Sequence, residues 1–224
     1  MSDYPEIWRA ADRYFESLFK PPDAHFRTIP ERSREAGLPD IQVTPMQGAF
    51  LELVARIHGA RRILEVGTLG GYSTAWLARA LPGDGTLITL ELEERHAAVA
   101  RENLAHFEFA DRIEIRVGDA GDSLRELVSE GTMPFDLVFL DADKRRLPSD
   151  FDRSLKLVRP GAVIVADNVV RDGAVADADS GDERVRGVRD FFSTVSSDPR
   201  LRATALQTVG AKGYDGFALI HVAE

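Results

Sequence analysis

The stretch ILEVGTLGGYST, residues 63–74, decides how this chain folds. It starts as an apolar run typical of a buried strand, breaks at Gly67, and reopens on Ser73 and Thr74 as a helix begins. A buried strand that leads through glycines into a helix is the first unit of a parallel α/β sheet. Some of these turns bind nucleotides, phosphates or sulfonium cofactors and others only pack tightly, so the stretch alone leaves the ligand open.

The rest of the chain repeats this alternation of strand and helix. From about residue 62, short β-rich runs alternate with helical stretches, which is typical of a doubly wound parallel sheet. The predicted parallel strands are 62–66, 86–91, 112–117, 135–140 and 162–166, and a closing antiparallel pair is predicted at 203–209 and 217–222. The glycines of GAKGYDG, between the last two strands, suit a hairpin-like reversal.

The residues ahead of the sheet predict helices. One of them opens at TPMQ, where Thr44 is the N-cap and Gln47 completes a capping box. We therefore expect a single α/β domain over residues 1–224. It would consist of a helical segment over 1–60 and a seven-stranded, mostly parallel core over 61–224 whose sheet ends in an antiparallel strand.

Composition narrows the classes of function. The chain has 224 residues, 44% of them hydrophobic, which is enough for one sizeable core. It contains no cysteine, so a metal must be bound by oxygen or imidazole ligands. A net charge of -9 disfavours capture of nucleic acid and favours a small-molecule partner. With charge spread through the first 20 residues and no long apolar run, we expect a cytoplasmic protein without a membrane segment.

The glycine turn lacks the signatures of the commonest ligands. After Gly67 the next glycine is Gly70, so the G-x-G-x-x-G pattern of dinucleotide sites is not present, and no Gly-Lys-Ser/Thr follows for a P-loop. Ser73 lies seven residues beyond Val66, too far for the nucleophile elbow of hydrolases. The remaining interpretations are a cofactor without a pyrophosphate and a turn that only packs.

Acidic residues near this turn favour a charged cofactor. Glu91 ends the second strand about 20 residues after the turn, where a carboxylate accepts hydrogen bonds from a ribose diol. Glu65 is placed to meet an ammonium group, and the helix start offers N–H groups to a carboxylate. Asp119 and Ala120 follow the third strand and are predicted adenine contacts, although Asp119 also reads as an ordinary helix cap. Adenosine joined to an amino acid describes S-adenosylmethionine.

A second group of polar residues follows the fourth and fifth strands. FDLVFLDADK places Asp141 at one strand end and Lys144 three residues on, and AVIVADNV places Asp167 and Asn168 at the next. If these strands are neighbours, two carboxylates converge, and they repel unless a proton or a cation intervenes. Oxygen ligands of this kind suit Mg²⁺, Mn²⁺ or Ca²⁺. The alternative is that both aspartates are ordinary caps. Asp143 is better explained as a loop cap or as a residue that orients a metal ligand without binding the metal.

Taken together, these motifs resemble the metal-dependent, S-adenosylmethionine-dependent O-methyltransferases typified by catechol and caffeoyl-coenzyme A O-methyltransferases. The resemblance runs in order from VTPMQGAFL through LEVGTLGGYST, GDA, FDLVFLDADK and RPGAVIVADNV to GYDGFALI. It implies a Rossmann-like, class I methyltransferase fold and a homodimer. The cofactor contacts that it implies are Val43, Glu65, Gly67, Thr68, Ser73, Glu91 and Ala120. The implied metal ligands are Asp141, Asp167 and Asn168, and Asp141 would also touch the cofactor.

The resemblance also implies a reaction. A small molecule with two adjacent hydroxyl groups would chelate the cation, most simply Mg²⁺, and Lys144 would either accept a proton or orient the acceptor. The chain departs from the family where tyrosines usually follow the lysine, with Leu147 and Phe151 in those places, and where an aromatic residue usually follows DNV, with Arg171 nearby. Arg145 and Arg146 add further basic groups. These changes predict an acceptor that is non-planar or anionic.

Three other functions stay open at this point. One is methylation of a modified nucleotide in RNA, another is cofactor binding without turnover, and the third is a nicotinamide dehydrogenase. The aromatic residues Trp8, Tyr14, Phe15 and Phe19 recur near helical spacing and predict core or dimer contacts.

Overall fold

The computed structural model of the protein describes residues 4–19 and 23–223. The chain divides into two compact units, Met1–Asp119 and Ala120–Glu224, here called the N-terminal and the C-terminal unit. Their boundary does not coincide with residue 60, where the sequence suggested a change from helices to sheet. A single domain over the whole chain therefore stays a prediction.

The described residues of the N-terminal unit form three helices, followed by three parallel strands that alternate with two further helices. Its elements are α1 Tyr4–Leu18, α2 His25–Glu35, α3 Pro45–His58, β1 Arg62–Val66, α4 Tyr72–Ala80, β2 Thr86–Glu91, α5 Glu94–Leu104 and β3 Ile113–Val117. β2 pairs in parallel with both β1 and β3. Residues 62–66 and 86–91 match the prediction, and β3 starts one residue late because a 3-10 turn occupies Ala110–Arg112.

The capping box predicted for α3 is present. The Thr44 hydroxyl accepts from the Gln47 backbone N–H at 3.2 Å, and the Gln47 side chain accepts from the Thr44 N–H at 2.9 Å. Pro45 occupies the first helical position, where its missing N–H costs nothing. This start was predictable because it depends only on residues within one helical turn.

The C-terminal unit contains four strands and three helices. Its elements are α6 Ala120–Ser129, β4 Phe135–Leu140, α7 Leu147–Ser154, β5 Val158–Ala166, α8 Glu183–Ser197, β6 Leu201–Gly210 and β7 Gly213–Val222, with a 3-10 turn at Ala174–Ala176. β4 and β5 are parallel. β7 is antiparallel to both β5 and β6 and lies between them. The predicted hairpin is confirmed, although its strands extend through the glycines to leave only Ala211 and Lys212 as the turn.

The fold class follows from these strands. In the described residues the sheet has seven strands: β2 pairs in parallel with β1 and β3, β4 pairs in parallel with β5, and β7 is antiparallel to both of its neighbours. This confirms the predicted mostly parallel α/β sheet with an antiparallel last strand. β5 starts at Val158, four residues before the predicted 162–166. The register between β4 and β5 shifts in this part of the strand, where Gly161 has a φ of +83°. This irregularity lets the strand include residues that are typical of a turn. None of the helices in the described residues is long and apolar enough to cross a membrane.

Candidate functional site

The turn after β1 is shaped by residues in the left-handed region. Gly67, Leu69 and Gly71 have φ values of 104°, 51° and 83°. The Gly67 N–H donates to the Leu90 carbonyl at 3.0 Å, and the Gly71 N–H donates to the Thr68 carbonyl at 2.9 Å. Glycine adopts these conformations freely, whereas Leu69 is held there at a cost of about 1–2 kcal/mol.

Glu91 stabilises the left-handed backbone conformation of Leu69. One oxygen of this buried carboxylate accepts from the Thr68 and Leu69 backbone N–H groups at 3.2 and 2.8 Å. The other accepts from the Glu93 N–H at 3.0 Å and lies 3.2 Å from Nδ1 of His96. Glu91 therefore anchors the glycine turn, and a ribose bound by Glu91, as predicted, would share these oxygens with the turn.

Glu65 lies in a buried network of hydroxyl groups. Its side chain is fully buried and accepts from the Thr74 hydroxyl at 2.5 Å and from the Thr89 hydroxyl at 2.7 Å. The Thr68 and Thr89 hydroxyls lie 2.5 Å apart, which joins the network to the glycine turn. The sequence did not single out Thr74 or Thr89, although Thr89 is the register partner of Glu65 and strand alignment would have found it. Contact of Glu65 with an ammonium group stays a prediction.

The other predicted cofactor residues lie at the ends of elements. Val43, just before α3, and Ser73, in the first turn of α4, are buried. Asp119 is half-buried and directly precedes α6, which begins at Ala120. Asp119 thus occupies the position of a helix cap, and its contact with adenine stays a prediction.

The C-terminal unit brings the predicted acidic pair together. Leu140 and Ala166 are register partners at the ends of β4 and β5, so Asp141 and Asp167 leave the sheet side by side. The Asp167 N–H donates to the Leu140 carbonyl at 3.1 Å. Lys144, itself buried, donates through Nζ to Oδ1 of Asp141 at 3.2 Å. The sequence therefore placed these three residues correctly beside one another.

The charge balance of this group fits a cation. Burial, and next the negative charge of Asp141, raise the pKa of Asp167 to about 7, while Lys144 and the Asn168 N–H act in the opposite direction. One ammonium thus faces two carboxylates, and a divalent cation would relieve the repulsion between them. In the described part of the chain no three His, Cys, Asp or Glu side chains are grouped to bind a metal. A cation here would need the Asn168 amide oxygen, water or substrate to complete the shell, and such hard oxygen donors suit Mg²⁺.

The loop after Asp141 is stabilised by its own residues. Asp143 accepts from the Arg145 backbone N–H at 3.1 Å and from the Arg145 guanidinium at 2.8 Å. These hydrogen bonds with Arg145 keep the pKa of Asp143 below its usual range. Asp143 is thus a loop cap, as expected. Leu147 and Phe151, which stand where the family usually has tyrosines, are both buried, and Phe151 packs edge-on against Phe191 at 5.0 Å between ring centroids.

One positioning residue was missed by the sequence interpretation. Gly187 of α8 lies against the backbone of Lys144, and a Cβ added there would be 2.1 Å from the Lys144 carbonyl oxygen. Only glycine allows α8 to approach the loop this closely. No local signal marks this glycine, because a glycine inside a helix reads simply as a weak point.

Two solved structures of O-methyltransferases are similar to this chain over nearly its whole length. The O-methyltransferase from Bacillus cereus in complex with SAH is 49% identical, covers 97% of this chain and 99% of its own, and superposes with a TM-score of 0.95. TomG from Streptomyces achromogenes, an O-methyltransferase involved in tomaymycin synthesis and solved with SAM, is 48% identical over the full length of both chains, with a TM-score of 0.96. The fold is therefore that of a methyltransferase.

The family follows from sequence. A model of the O-methyltransferase family matches residues 24–221. A catechol O-methyltransferase of Niastella koreensis is 46% identical over 214 residues, 96% of this chain and 97% of that protein. The chain belongs to the O-methyltransferase family, as the resemblance of its motifs had implied.

Proposed function

We propose that this protein transfers a methyl group from S-adenosylmethionine to one of two adjacent hydroxyl groups of a small molecule, with a divalent cation bound by Asp141, Asp167 and Asn168. The observation that carries this proposal is the acidic pair of half-buried Asp141 and buried Asp167, with buried Lys144 beside it. Two carboxylates and one ammonium at paired strand ends are poorly explained as caps, since the pKa of Asp167 is raised to about 7. Two similar proteins support the same reaction: the relative named catechol O-methyltransferase and TomG, which was solved with SAM.

The N-terminal unit would bind the methyl donor. Glu91 keeps the glycine turn in one conformation, and the buried network around Glu65 fixes the start of α4. A preformed turn loses less conformational entropy when it binds a ligand. SAH should therefore bind to the metal-free protein, and calorimetry with SAH and with NAD separates this proposal from a nicotinamide dehydrogenase.

In the C-terminal unit, Lys144 is the proposed proton acceptor. A bound Mg²⁺ lowers the pKa of a coordinated hydroxyl and stabilises its anion. Nζ of Lys144 is buried and lies 3.2 Å from Oδ1 of Asp141, so the neutral amine would be placed to take up the proton of the acceptor hydroxyl, whereas the ammonium could only orient the acceptor. Lys144→Arg retains the charge but cannot accept a proton at neutral pH. If Lys144 accepts the proton, Lys144→Arg should abolish turnover, whereas an orienting role predicts substantial residual turnover.

The ion pairs of Arg145 and Arg171 bear on whether the methyl acceptor is anionic or neutral. Arg145 is paired with Asp143, and Nη1 of Arg171 lies 3.7 Å from Oδ2 of Asp215. Both positive charges are thus already balanced by carboxylates, which weakens the expectation of an anionic acceptor and of RNA. A neutral catechol is the acceptor that we propose.

The test is a methyl-transfer assay on a panel of catechols and bulk tRNA, with Mg²⁺ or with chelator. The expected result is chelator-sensitive methylation of catechols that is lost in Asp141→Asn and Asp167→Asn. Asp182→Asn, an exposed aspartate at the start of α8, is the matched control and should retain turnover. If the two variants keep wild-type turnover and chelator has no effect, the metal role is wrong.

The proposal also includes a cytoplasmic homodimer. Tyr14, Phe15 and Phe19 are 60%, 44% and 61% exposed, so the alternative that these three belong to the core is wrong, whereas Trp8 is half-buried. Contact between the two copies of a dimer is the explanation that we propose for the three exposed side chains. Sedimentation of the wild type and of Phe15→Ser tests it, with dimer and monomer as the expected species.

A further inference from the structure

The segment that follows the proposed metal ligands has an unusual backbone. Asn168, Arg171 and Asp172 have φ values of 52°, 55° and 54°, and Gly173 has a φ of 86°. Side chains other than glycine rarely adopt this region, and such conformations persist only where surrounding contacts enforce them. Some part of the C-terminal unit must therefore hold residues 168–173.

Asp215, near the start of β7, holds this segment. Its Oδ1 accepts from the backbone N–H groups of Val170 at 2.9 Å, Arg171 at 3.0 Å and Gly216 at 3.0 Å. Its Oδ2 lies 3.7 Å from the Arg171 guanidinium. A single carboxylate thus receives two consecutive N–H groups of the segment and also balances the charge of one of its side chains.

Gly216 completes the attachment. Its carbonyl accepts from the Val169 N–H at 3.0 Å, so residues 169–171 all donate to residues 215 and 216. A Cβ at Gly216 would lie 2.6 Å from Cγ2 of Val170 and 2.2 Å from the Leu206 carbonyl oxygen, so the close approach requires glycine. Asn168 is therefore fixed from both sides, by β5 before it and by this attachment after it.

We infer that Asp215 is a positioning residue for the cation site: it fixes the backbone after Asn168 and thereby the direction in which Asp167 and Asn168 present their oxygens. The inference rests on the proposed function for its metal, although the attachment itself does not. Groups that orient metal ligands typically change metal affinity when they are removed.

The experiment compares Mn²⁺ binding and backbone amide exchange in the full chain. In Asp215→Ala, the Kd for Mn²⁺, measured from the signal of the free ion by electron paramagnetic resonance, should rise about 10–100-fold. Amide hydrogens of residues 169–171 should exchange faster in the metal-free protein. In Asp215→Asn the amide Oδ1 still accepts the backbone N–H groups, so the Kd should stay within about threefold of the wild type.

Comparing Asp215→Ala with Asp215→Asn distinguishes loss of the backbone hydrogen bonds from loss of a negative charge near the cation site. Loss of a negative charge near the site would weaken Mn²⁺ binding equally in Asp215→Ala and Asp215→Asn, and that result would overturn the inference. Asp182→Ala removes another aspartate that accepts a backbone N–H, from Arg184 at the start of α8, and should leave Mn²⁺ binding unchanged.

Failure of the inference and failure of the proposed function give different results. If the wild type binds Mn²⁺ and Asp215→Ala binds it equally well, the inference is wrong and the metal site stands. If the wild type binds no Mn²⁺ at a saturable site, the proposed metal role is wrong. The inference that Asp215 positions metal ligands is then wrong as well. The exchange rates of residues 169–171 then still decide whether Asp215 holds the segment.

Discussion

Replacing Gly187 by alanine should damage catalysis more than stability. The added Cβ would lie 2.1 Å from the Lys144 carbonyl oxygen, 3.0 Å from its carbonyl carbon and 3.1 Å from Cα of Arg145. All three are backbone atoms, so no side-chain rotation relieves the contact. Either α8 or the loop that carries Lys144 must move by roughly 1 Å before the contact becomes an ordinary one.

Two effects on stability oppose each other. Alanine in a helix interior is favoured over glycine by about 1 kcal/mol, whereas overpacking a core typically costs about 1–3 kcal/mol. The free energy of unfolding should therefore fall by at most about 2 kcal/mol. Catalysis has no such compensation, because displacing a reactive group by about 1 Å can cost about 100-fold in rate. We expect kcat to fall roughly 10–100-fold with little change in the KM for the methyl donor.

The assay is steady-state methyl transfer at saturating donor, with urea unfolding of the same preparations. Gly181→Ala is the matched control, since nothing lies within 4 Å of the added Cβ in the loop before α8. Both its kcat and its unfolding midpoint should equal those of the wild type. If Gly187→Ala keeps kcat within about twofold while its stability falls, then α8 does not set the position of Lys144 and the reasoning fails.

Three further substitutions test other parts of the site. An aspartate whose pKa is raised on folding stabilises the fold fully below pH 4 and loses this contribution as the pH rises to about 7. Asp167→Asn should therefore raise the free energy of unfolding of chelator-treated protein by roughly 2–4 kcal/mol at pH 8, and by less at pH 5. Both carboxylate oxygens of Glu91 accept backbone N–H groups, so in Glu91→Gln either the turn amides or the Glu93 N–H loses its acceptor, which should cost about 1–3 kcal/mol of stability and weaken SAH binding in calorimetry. Gly48→Ala places a Cβ 2.3 Å from Trp76 and should lower the unfolding midpoint by overpacking, measured by urea unfolding.

Each of these substitutions has a matched control. Asp182→Asn should show no comparable dependence on pH, and an equal gain at pH 5 and pH 8 in Asp167→Asn would contradict the raised pKa. Glu94→Gln, on the exposed part of α5, should leave SAH binding unchanged, so equal losses in both glutamine variants would exclude a specific role for Glu91. Gly83→Ala has open space around its Cβ, and a midpoint as low as that of Gly48→Ala would show that the contact with Trp76 is not the cause.

The parts of the fold that the sequence predicted are those with local causes. β1, β2 and β4 have the predicted bounds because short apolar runs are flanked by turn residues. β5 was predicted too short because Pro160 and Gly161 read as a turn, whereas the sheet accommodates them by a shift of register. The place of β7 between β5 and β6 was not predicted, since it depends on which sheet neighbour buries the strand better and no local signal encodes that choice.

In the candidate functional site, too, the residues with local sequence signals were predictable and those that act through tertiary contacts were not. Asp141, Lys144 and Asp167 were predictable because the chemistry of strand ends is readable along the chain. Gly187 and Asp215 were not, because each acts on a segment more than 40 residues away in sequence. Asp215 lies in GYDGFALI, but that motif does not indicate which segment the carboxylate holds. Such residues are recognisable only once the tertiary contacts are known.

The two units hold their ligand-binding turns by the same physical means. In the N-terminal unit, Glu91 accepts consecutive backbone N–H groups of a turn in which Leu69 has a positive φ. In the C-terminal unit, Asp215 accepts consecutive N–H groups of a segment in which Arg171 has a positive φ. A carboxylate that accepts several N–H groups stabilises a conformation that the chain alone disfavours, because charged acceptors form the stronger hydrogen bonds. Removing either carboxylate releases only its own turn, so each loss should appear first in the affinity for the ligand of that unit, SAH or Mn²⁺.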